Sequence, residues 1–273
     1  MSPDSRGASS GPGSEGPRQR AGMTPSLVEA VASPNHALRV PRSESFTRVE
    51  RKIFIDPKRL GLVRAWLAHT CRPAPEYPVG QVSSCYYDTP DMDAYFASSD
   101  GDLDKNKIRL RWYDSVPSAG GMTAFVELKS KHGAETMKQR APLTVPAPVL
   151  ASGDFAVALP RETLTRYLLG FGYQAPLDLR PTVIVTYRRY RFLEQHSQMT
   201  VSLDSDIRVR PAGDLRCWPS VSLSAAVLEL KGRDLELPRP LRGLGRFGPV
   251  WSAFSKYWAA IEALADAPGP FRP

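Results

Sequence analysis

Lys107-Ile-Arg-Leu-Arg-Trp-Tyr113 places a cation at every second position, with Ile108, Leu110 and Trp112 between them. Side chains of an extended strand alternate between two faces. Lys107, Arg109 and Arg111 therefore share one face, and the apolar residues share the other. Five more stretches repeat the pattern, some with a carboxylate among the cations: 48–55, 125–131, 187–192, 202–208 and 226–231. Within them Glu127 is followed two residues on by Lys129, and Glu229 by Lys231.

Any one such strand is also what a solvated sheet face looks like. Three features argue against that reading for the set. The pattern recurs on six strands. The polar positions are mostly Arg and Lys rather than a mixture with Thr, Ser and Glu. Few helices are available to cover a flat apolar face. Closing the sheet into a barrel solves the problem, with charged side chains inside and apolar ones outside under the helices. Crowded, partly desolvated cations cost several kcal/mol each without counter-charge. Phosphate oxygens supply it, accepting the Arg fork in bidentate fashion and Lys as a point charge. Carboxylates among those cations make sense if they hold a divalent ion that bridges phosphates. Glu229 and Glu127 are the candidates; the plainer alternative is that each pairs with its neighbouring lysine. Glu50, on the face of Arg48 and Lys52, fits either role.

The flanking sequence agrees with an α+β chain. Asp56-Pro57 opens a helix running to about His69, because Pro is favoured in a first turn and Leu60, Val63 and Leu67 form a stripe. Strands are expected at 82–87, 107–113, 124–131, 137–143, 181–193, 199–208 and 225–232, with helices at 92–99, 161–170 and 250–265. Asp88-Thr89-Pro90 and residues 117–121 read as turns. Trp251, Phe254, Trp258 and Ile261 fall at helical spacing and are expected to seat the last helix, leaving Lys256 to point the other way. Tyr86, Tyr87 and Tyr95 are expected to pack in walls or core rather than against a base. Residues 1–43, rich in Ser, Gly, Pro and Arg, read as a disordered tail, with Met23 as a second possible start. The folded unit is placed at 44–267 and a short tail at 268–273.

Composition narrows the partners. The 273 residues carry a net charge of +8, which favours an anionic ligand. Cys71, Cys85 and Cys217 are odd in number and far apart, which points to a reducing cytoplasm. No apolar run approaches the roughly 20 residues that span a bilayer. No secretory signal pattern is present. His36, His69, His132 and His196 lack metal-site spacing, and there is no P-loop; Gly243-Leu-Gly245-Arg-Phe-Gly248 and Gly7-Ala-Ser9-Ser-Gly11 spell GxGxxG and GxSxG, but neither follows an expected strand, so neither makes a dinucleotide fingerprint or a nucleophile elbow. Nucleic acid is disfavoured, since the aromatic-plus-glycine signature of an RNA-reading sheet is missing.

Nine short motifs occur in a recognisable order: Arg48-Val-Glu50-Arg-Lys52, Tyr86-Tyr87-Asp88-Thr89-Pro90 with Tyr95-Phe96, Arg109-Leu-Arg111-Trp-Tyr113, Phe125-Val-Glu127-Leu-Lys129, Lys138-Gln-Arg140, Tyr187-Arg-Arg189, Ser202-Leu-Asp204, Val227-Leu-Glu229-Leu-Lys231 and Ser255-Lys256-Tyr257. Over about residues 46–262 the chain resembles a VTC domain, the catalytic domain of the vacuolar transporter chaperone polyphosphate polymerases. That domain belongs to the CYTH, or triphosphate tunnel metalloenzyme, superfamily. The resemblance implies an antiparallel eight-stranded β-barrel tunnel with flanking helices and a C-terminal helix. It also implies that Lys52, Arg109, Arg111, Lys129, Lys138 and Arg189 bind phosphate, with Arg140 joining by strand parity. Glu229 matches the metal-binding glutamate, for Mn²⁺ or Mg²⁺. Ser255 and Lys256 match the pair that the last helix presents to the tunnel.

The implied reaction moves the γ-phosphate of ATP to a polyphosphate or pyrophosphate acceptor. Arg109, Arg111, Lys129, Arg189 and Lys256 are the expected catalytic cations; Lys52, Lys138, Arg140 and Ser255 are the expected phosphate-binding set. Two alternatives remain at this point: a triphosphatase or tripolyphosphatase on the same site, and a non-catalytic polyphosphate-binding module. The first strand departs from the superfamily, carrying Arg48-x-Glu50-x-Lys52 where Glu-x-Glu-x-Lys is usual. One carboxylate is lost and one cation gained, which favours binding a longer polyanion over metal-assisted hydrolysis. No helical regulatory domain precedes the barrel and no membrane span follows it in these 273 residues, so export of polymer would call for a separate membrane partner.

Overall fold

In the computed structural model, residues 49–114, 121–133, 135–215, 217–233, 236–247, 250–251 and 254–267 are described. The proposed tails, Arg48 and most of the 117–121 turn lie outside them. The strands are β1 (Val49–Ile55), β2 (Arg72–Pro73), β3 (Val79–Asp88), β4 (Asp104–Tyr113), β5 (Met122–His132), β6 (Glu135–Val145), β7 (Arg180–Leu193), β8 (Thr200–Pro211), β9 (Val221–Leu223), β10 (Ala226–Gly232) and β11 (Val250–Trp251). The helices are α1 (Leu60–Thr70), α2 (Asp93–Ser99), α3 (Ala147–Ser152), α4 (Phe155–Ala158), α5 (Arg161–Gly170) and α6 (Lys256–Asp266).

The long strands form one antiparallel, curled sheet in the order β1-β10-β8-β7-β3-β4-β5-β6. The expected eight-stranded architecture is present as a half-barrel. Among the described residues no ladder joins β6 to β1. The outer edge of β1 is instead occupied by β11, through Ile53–Trp251 and Phe54–Val250. Side chains reach where the backbone does not: Lys129 of β5 lies 3.4 Å from Glu50 of β1.

Alternation sorts the two faces as the sequence demands. Ile108, Leu110, Val126, Leu128 and Ala141 point outward and are buried under α3, α4 and α5, with Phe155, Leu164 and Leu168. On the other half, Ile53, Ile55, Leu203, Leu228 and Leu230 are covered by Val63 and Leu67 of α1 and by Leu241 and Leu244 of the 3₁₀ segment Arg239–Phe247. Asp56 caps the turn that leads into α1, accepting from the Lys58 amide at 2.9 Å, and Pro57 supplies the fixed φ of a first helical position. Burial of these outward faces removes apolar surface from water at about 25 cal/mol per Å², the main stabilising term of the fold.

The concave face has two zones. One is apolar: Val82, Val183, Val185, Ile207, Val209 and Val227 receive Tyr257, Ala260 and Leu264 of α6. The other carries the charges. The start of α6 differs from expectation. Val250 and Trp251 are extended because they pair with β1, so the helix begins only at Lys256, capped by Ser255. Its seat is therefore turned by one residue. Tyr257, Ala260 and Leu264 are buried and Trp258 is 36% exposed, while Phe254 and Ile261 of the expected stripe still pack against the same cluster. Lys256 does not point away from that seat; it shares the buried face with Ala260, one helical turn on.

A buried carboxylate fixes α6 in place. Asp88, at the end of β3, accepts from the amides of Thr89 (2.8 Å), Ala94 (2.9 Å) and Tyr95 (3.0 Å), and from the Tyr257 hydroxyl. Tyr257 also stacks on Tyr86, and Tyr95 donates to Glu262. Burial and the adjacent carboxylate push the Tyr257 pKa well up, so it remains a donor. Tyr257→Phe is expected to cost about 1–3 kcal/mol, the penalty for stripping one donor from a buried acceptor. Denaturant unfolding reads this directly, and an unchanged midpoint would remove the bond from any holding role.

Candidate functional site

The register brings the charged strand positions into two facing clusters. In the first, neighbouring strands place Tyr86, Arg109, Glu127 and Arg140 side by side, with Lys107, Lys129 and Lys138 in the adjacent row. Rows on one face are two residues, about 6.8 Å, apart. Glu127 is 1% exposed and sits at the centre. Its Oε2 accepts from Arg109 Nε (2.8 Å) and Nη2 (2.6 Å). Arg111 Nη1 stands 3.8 Å from the same oxygen. Lys138 Nζ (3.0 Å) and Arg140 Nε (3.4 Å) face Oε1. Burial alone would raise the Glu127 pKa, yet Arg109, Arg111 and Lys138 hold it far below the usual carboxylate range. The Arg140 guanidinium stacks 3.4 Å from the Phe125 ring centroid. Arg111 donates through Nε to Ser84 Oγ (2.9 Å) and through Nη2 to Tyr187 Oη (3.3 Å).

The second cluster joins β7, β8, β10 and α6. Arg189 is bidentate on Asp204, Nε to Oδ1 at 2.6 Å and Nη2 to Oδ2 at 2.8 Å, and its Nη2 also reaches Glu229 Oε2 at 3.1 Å. Lys256 Nζ lies 2.6 Å from Asp204 Oδ2 and 3.7 Å from Glu229 Oε1, and Lys231 Nζ lies 3.5 Å from Glu229 Oε2. Lys52 is the register partner of Glu229. Burial opposes ionisation of Asp204 and Glu229, but Lys256 and Arg189 outweigh it and lower both pKa values. Burial likewise opposes the charge on Lys256, and Asp204 with Glu229 raises its pKa. Tyr187 stands between the clusters: it accepts from Arg111, while Arg189 and Lys256 lie over its ring at 5.3 and 4.8 Å.

Three lysines gather at the N-terminus of α6. Lys107 Nζ donates to Ser255 Oγ at 2.9 Å, Lys52 Nζ donates to the Phe254 carbonyl at 3.1 Å, and Lys256 is the first helical residue. The helix dipole adds partial positive charge at that point. Burial pushes Lys107 down to about 8, helped by Lys52 and Lys129. Burial also brings Lys138 to about 8 against the pull of Glu127. At the rim, Glu50 lies 3.7 Å from Lys52 and 3.4 Å from Lys129.

Every site residue expected from the sequence therefore lies on or beside the charged zone of the concave face. Glu127 is not paired with Lys129, its neighbour two residues along; Lys129 turns to Glu50, and Glu127 is taken by cations on β4 and β6. The expected list omitted Asp204, Tyr187 and Lys107. Asp204 was visible inside Ser202-Leu-Asp204 and Tyr187 inside Tyr187-Arg-Arg189, but only the pairing of β8 with β7 brings Arg189 to Asp204, and only the pairing of β3 with β4 and β7 brings Arg111 to Tyr187.

The carboxylates differ in what they can still hold. Glu127 Oε2 and both oxygens of Asp204 are engaged at 2.8 Å or less by protein cations, while Glu127 Oε1 is ion-paired with Lys138 at 3.0 Å without a hydrogen bond. Glu229 has longer contacts, 3.1 to 3.7 Å, and keeps 7% exposure. Among the described residues no cluster of three or more His, Cys, Asp or Glu side chains is arranged to hold a metal ion. A divalent ion would be held here through the Glu229 carboxylate alone, and Mg²⁺ is commonly bound by one or two carboxylates. No described helix is long and apolar enough to cross a membrane.

Among solved structures, the chain is similar to an adenylyl cyclase from Hippeastrum described as having dominant triphosphatase activity (14% identity, 80% of this chain and 96% of that one, TM-score 0.45). It is similar to proteins described as adenylate cyclases from Bacillus halodurans (12% identity, 84% and 96%, TM-score 0.44) and Vibrio parahaemolyticus (12%, 79% and 97%, TM-score 0.41). No curated protein matches the chain. The family model described as the VTC domain matches residues 47–265, nearly all of the described fold, and the chain belongs to that family.

Proposed function

We propose that this chain is a metal-dependent phosphotransferase that moves the γ-phosphate of ATP to pyrophosphate or a growing polyphosphate. The observation that carries the proposal is the pair of pre-set guanidinium groups. Arg109 is fixed by Glu127 and Arg189 by Asp204, both on a concave sheet face where cations outnumber carboxylates. Phosphoryl transfer asks little covalent work of a protein; alignment and charge neutralisation supply most of the rate. Arg109, Arg111, Lys129 and Arg189 neutralise the transferring phosphoryl group. Lys52, Lys138, Arg140 and Lys256 hold the acceptor chain in line, with Ser255 ordering the mouth through Lys107. Glu229 holds Mg²⁺ or Mn²⁺, which when bound offsets charge on the phosphate oxygens. Glu127, already enclosed by cations, is assigned to orienting Arg109 and Arg111 rather than to the metal.

Product identity tests the proposal. Purified protein with ATP and Mn²⁺ or Mg²⁺, with and without pyrophosphate, is followed by ³¹P NMR. Growth of internal-phosphate signal alongside ADP is expected. Orthophosphate without chain growth would make the same site a triphosphatase. Anion binding that is steeply salt-dependent and metal-indifferent, with no turnover, would make it a binding module.

The two lysines at about 8 set a pH dependence. Both are charged below pH 8 and lose their protons as pH rises through it, so anion affinity is present at pH 7 and weakens by pH 9. The KM for the triphosphate should climb across that interval. Lys107→Arg, which cannot deprotonate, should flatten the climb. A KM profile identical in wild type and variant would clear Lys107 of this role.

A further inference from the structure

Lys256 stands where a bare cation would otherwise sit. Its ammonium bridges Asp204 and Glu229 at 2.6 and 3.7 Å and lies 4.8 Å from the Tyr187 ring centroid. All three charged residues are deeply buried, at 9%, 0% and 7% exposure. Arg189 grips the same two carboxylates from another direction, and Lys231 adds a third cation at Glu229. The carboxylates are thus satisfied by the protein itself. A free divalent ion would have to expel a buried ammonium and then sit beside Arg189, Lys231, Lys52 and the positive end of α6. An ion arriving on a triphosphate meets a different balance. The phosphate oxygens bring negative charge, accept the Lys256 ammonium in exchange, and leave Glu229 open to the ion.

We propose that Lys256 is an internal counter-cation that excludes the free metal, so that the ion enters only together with the polyphosphate group and Lys256 passes from the carboxylates to phosphate as it does so. This rests on the assignment of the metal to Glu229. It goes further by fixing the form of the ligand, a metal–polyphosphate complex rather than an ion followed by an anion. No bond is made or broken in the exchange; one ion pair replaces another.

Mn²⁺ binding followed by electron paramagnetic resonance tests it without turnover, using the full chain, Mn²⁺ alone, and Mn²⁺ with tripolyphosphate. Wild-type protein should leave Mn²⁺ free at concentrations where it binds Mn²⁺-tripolyphosphate. Lys256→Met keeps an unbranched stem against Tyr187 and removes the charge. It should bind Mn²⁺ alone about tenfold more tightly or better, since it leaves two buried carboxylates short of a cation. Adding Glu229→Gln to that variant should abolish the gain. Tight binding of free Mn²⁺ by the wild type, or no gain in Lys256→Met, overturns the proposal while leaving Glu229 as the ligand. If Glu229→Gln alone leaves Mn²⁺-tripolyphosphate binding unchanged, the metal assignment itself fails. Should Lys256→Met not fold, the two wild-type titrations still decide: free Mn²⁺ bound as tightly as the complex sinks the idea.

Discussion

Glu229→Gln is expected to lower turnover by about 10²- to 10³-fold or more, the scale on which single charge-stabilising groups act in enzymes, while tripolyphosphate binding persists. Glu229 is a buried carboxylate with loose contacts, its partners lying at 3.1 to 3.7 Å. Glutamine keeps its size and part of its hydrogen bonding but removes the charge that would hold a divalent ion. Arg189 and Lys256 retain Asp204 as counter-charge, so the cluster should survive the change. The neighbouring cations then face phosphate with one fewer competitor, and anion affinity should hold or rise. Calorimetric titration with tripolyphosphate and a turnover assay separate the two quantities. Full turnover in the variant, still dependent on metal, would take Glu229 out of its role.

Glu127→Ala is the second large effect, and it falls on stability. Glu127 is buried among Arg109, Arg111, Lys138 and Arg140, and removing it leaves that group with no carboxylate at its centre. Lys138 and Arg140 are 47% and 38% exposed at the side chain, so water screens their share. The loss rests mainly on Arg109 and Arg111. About 3 kcal/mol is expected, the lower end for breaking a buried pair, or on the order of 10 °C in Tm. Tripolyphosphate should restore much of it by taking the place of the carboxylate, more than it stabilises wild type. A variant as stable as wild type without phosphate would show that the cations need no internal counter-charge. The pH sign is fixed by the depressed Glu127 pKa: its stabilisation is complete above the ordinary carboxylate value near 4.5 and is lost as pH falls toward the folded value.

The alternation in Lys107–Tyr113 and Phe125–Lys131 was enough to place Arg109, Arg111 and Glu127 on one face and the core on the other, because a strand repeats every two residues whatever its neighbours are. Likewise Pro57 and the Val63–Leu67 spacing set α1. The last helix was misread because β-pairing of Val250 and Trp251 with β1 is a long-range choice. Local helical spacing cannot see a strand edge nearly two hundred residues away. The same limit hid the role of Asp204: its carboxylate is just another polar position on β8 until β7 brings Arg189 to it and α6 brings Lys256.

The sequence by itself determined the strand periodicity, the surplus of cations on one sheet face and the family, since each depends on residue type and short spacing alone. Only the tertiary structure decided which charges meet. Coulombic pairing depends on distance and burial, and both are set by register across strands that are remote in the chain. That is why Glu127 belongs to Arg109 rather than to Lys129, and why Lys256 faces Asp204 on the concave face instead of pointing away from the helix seat.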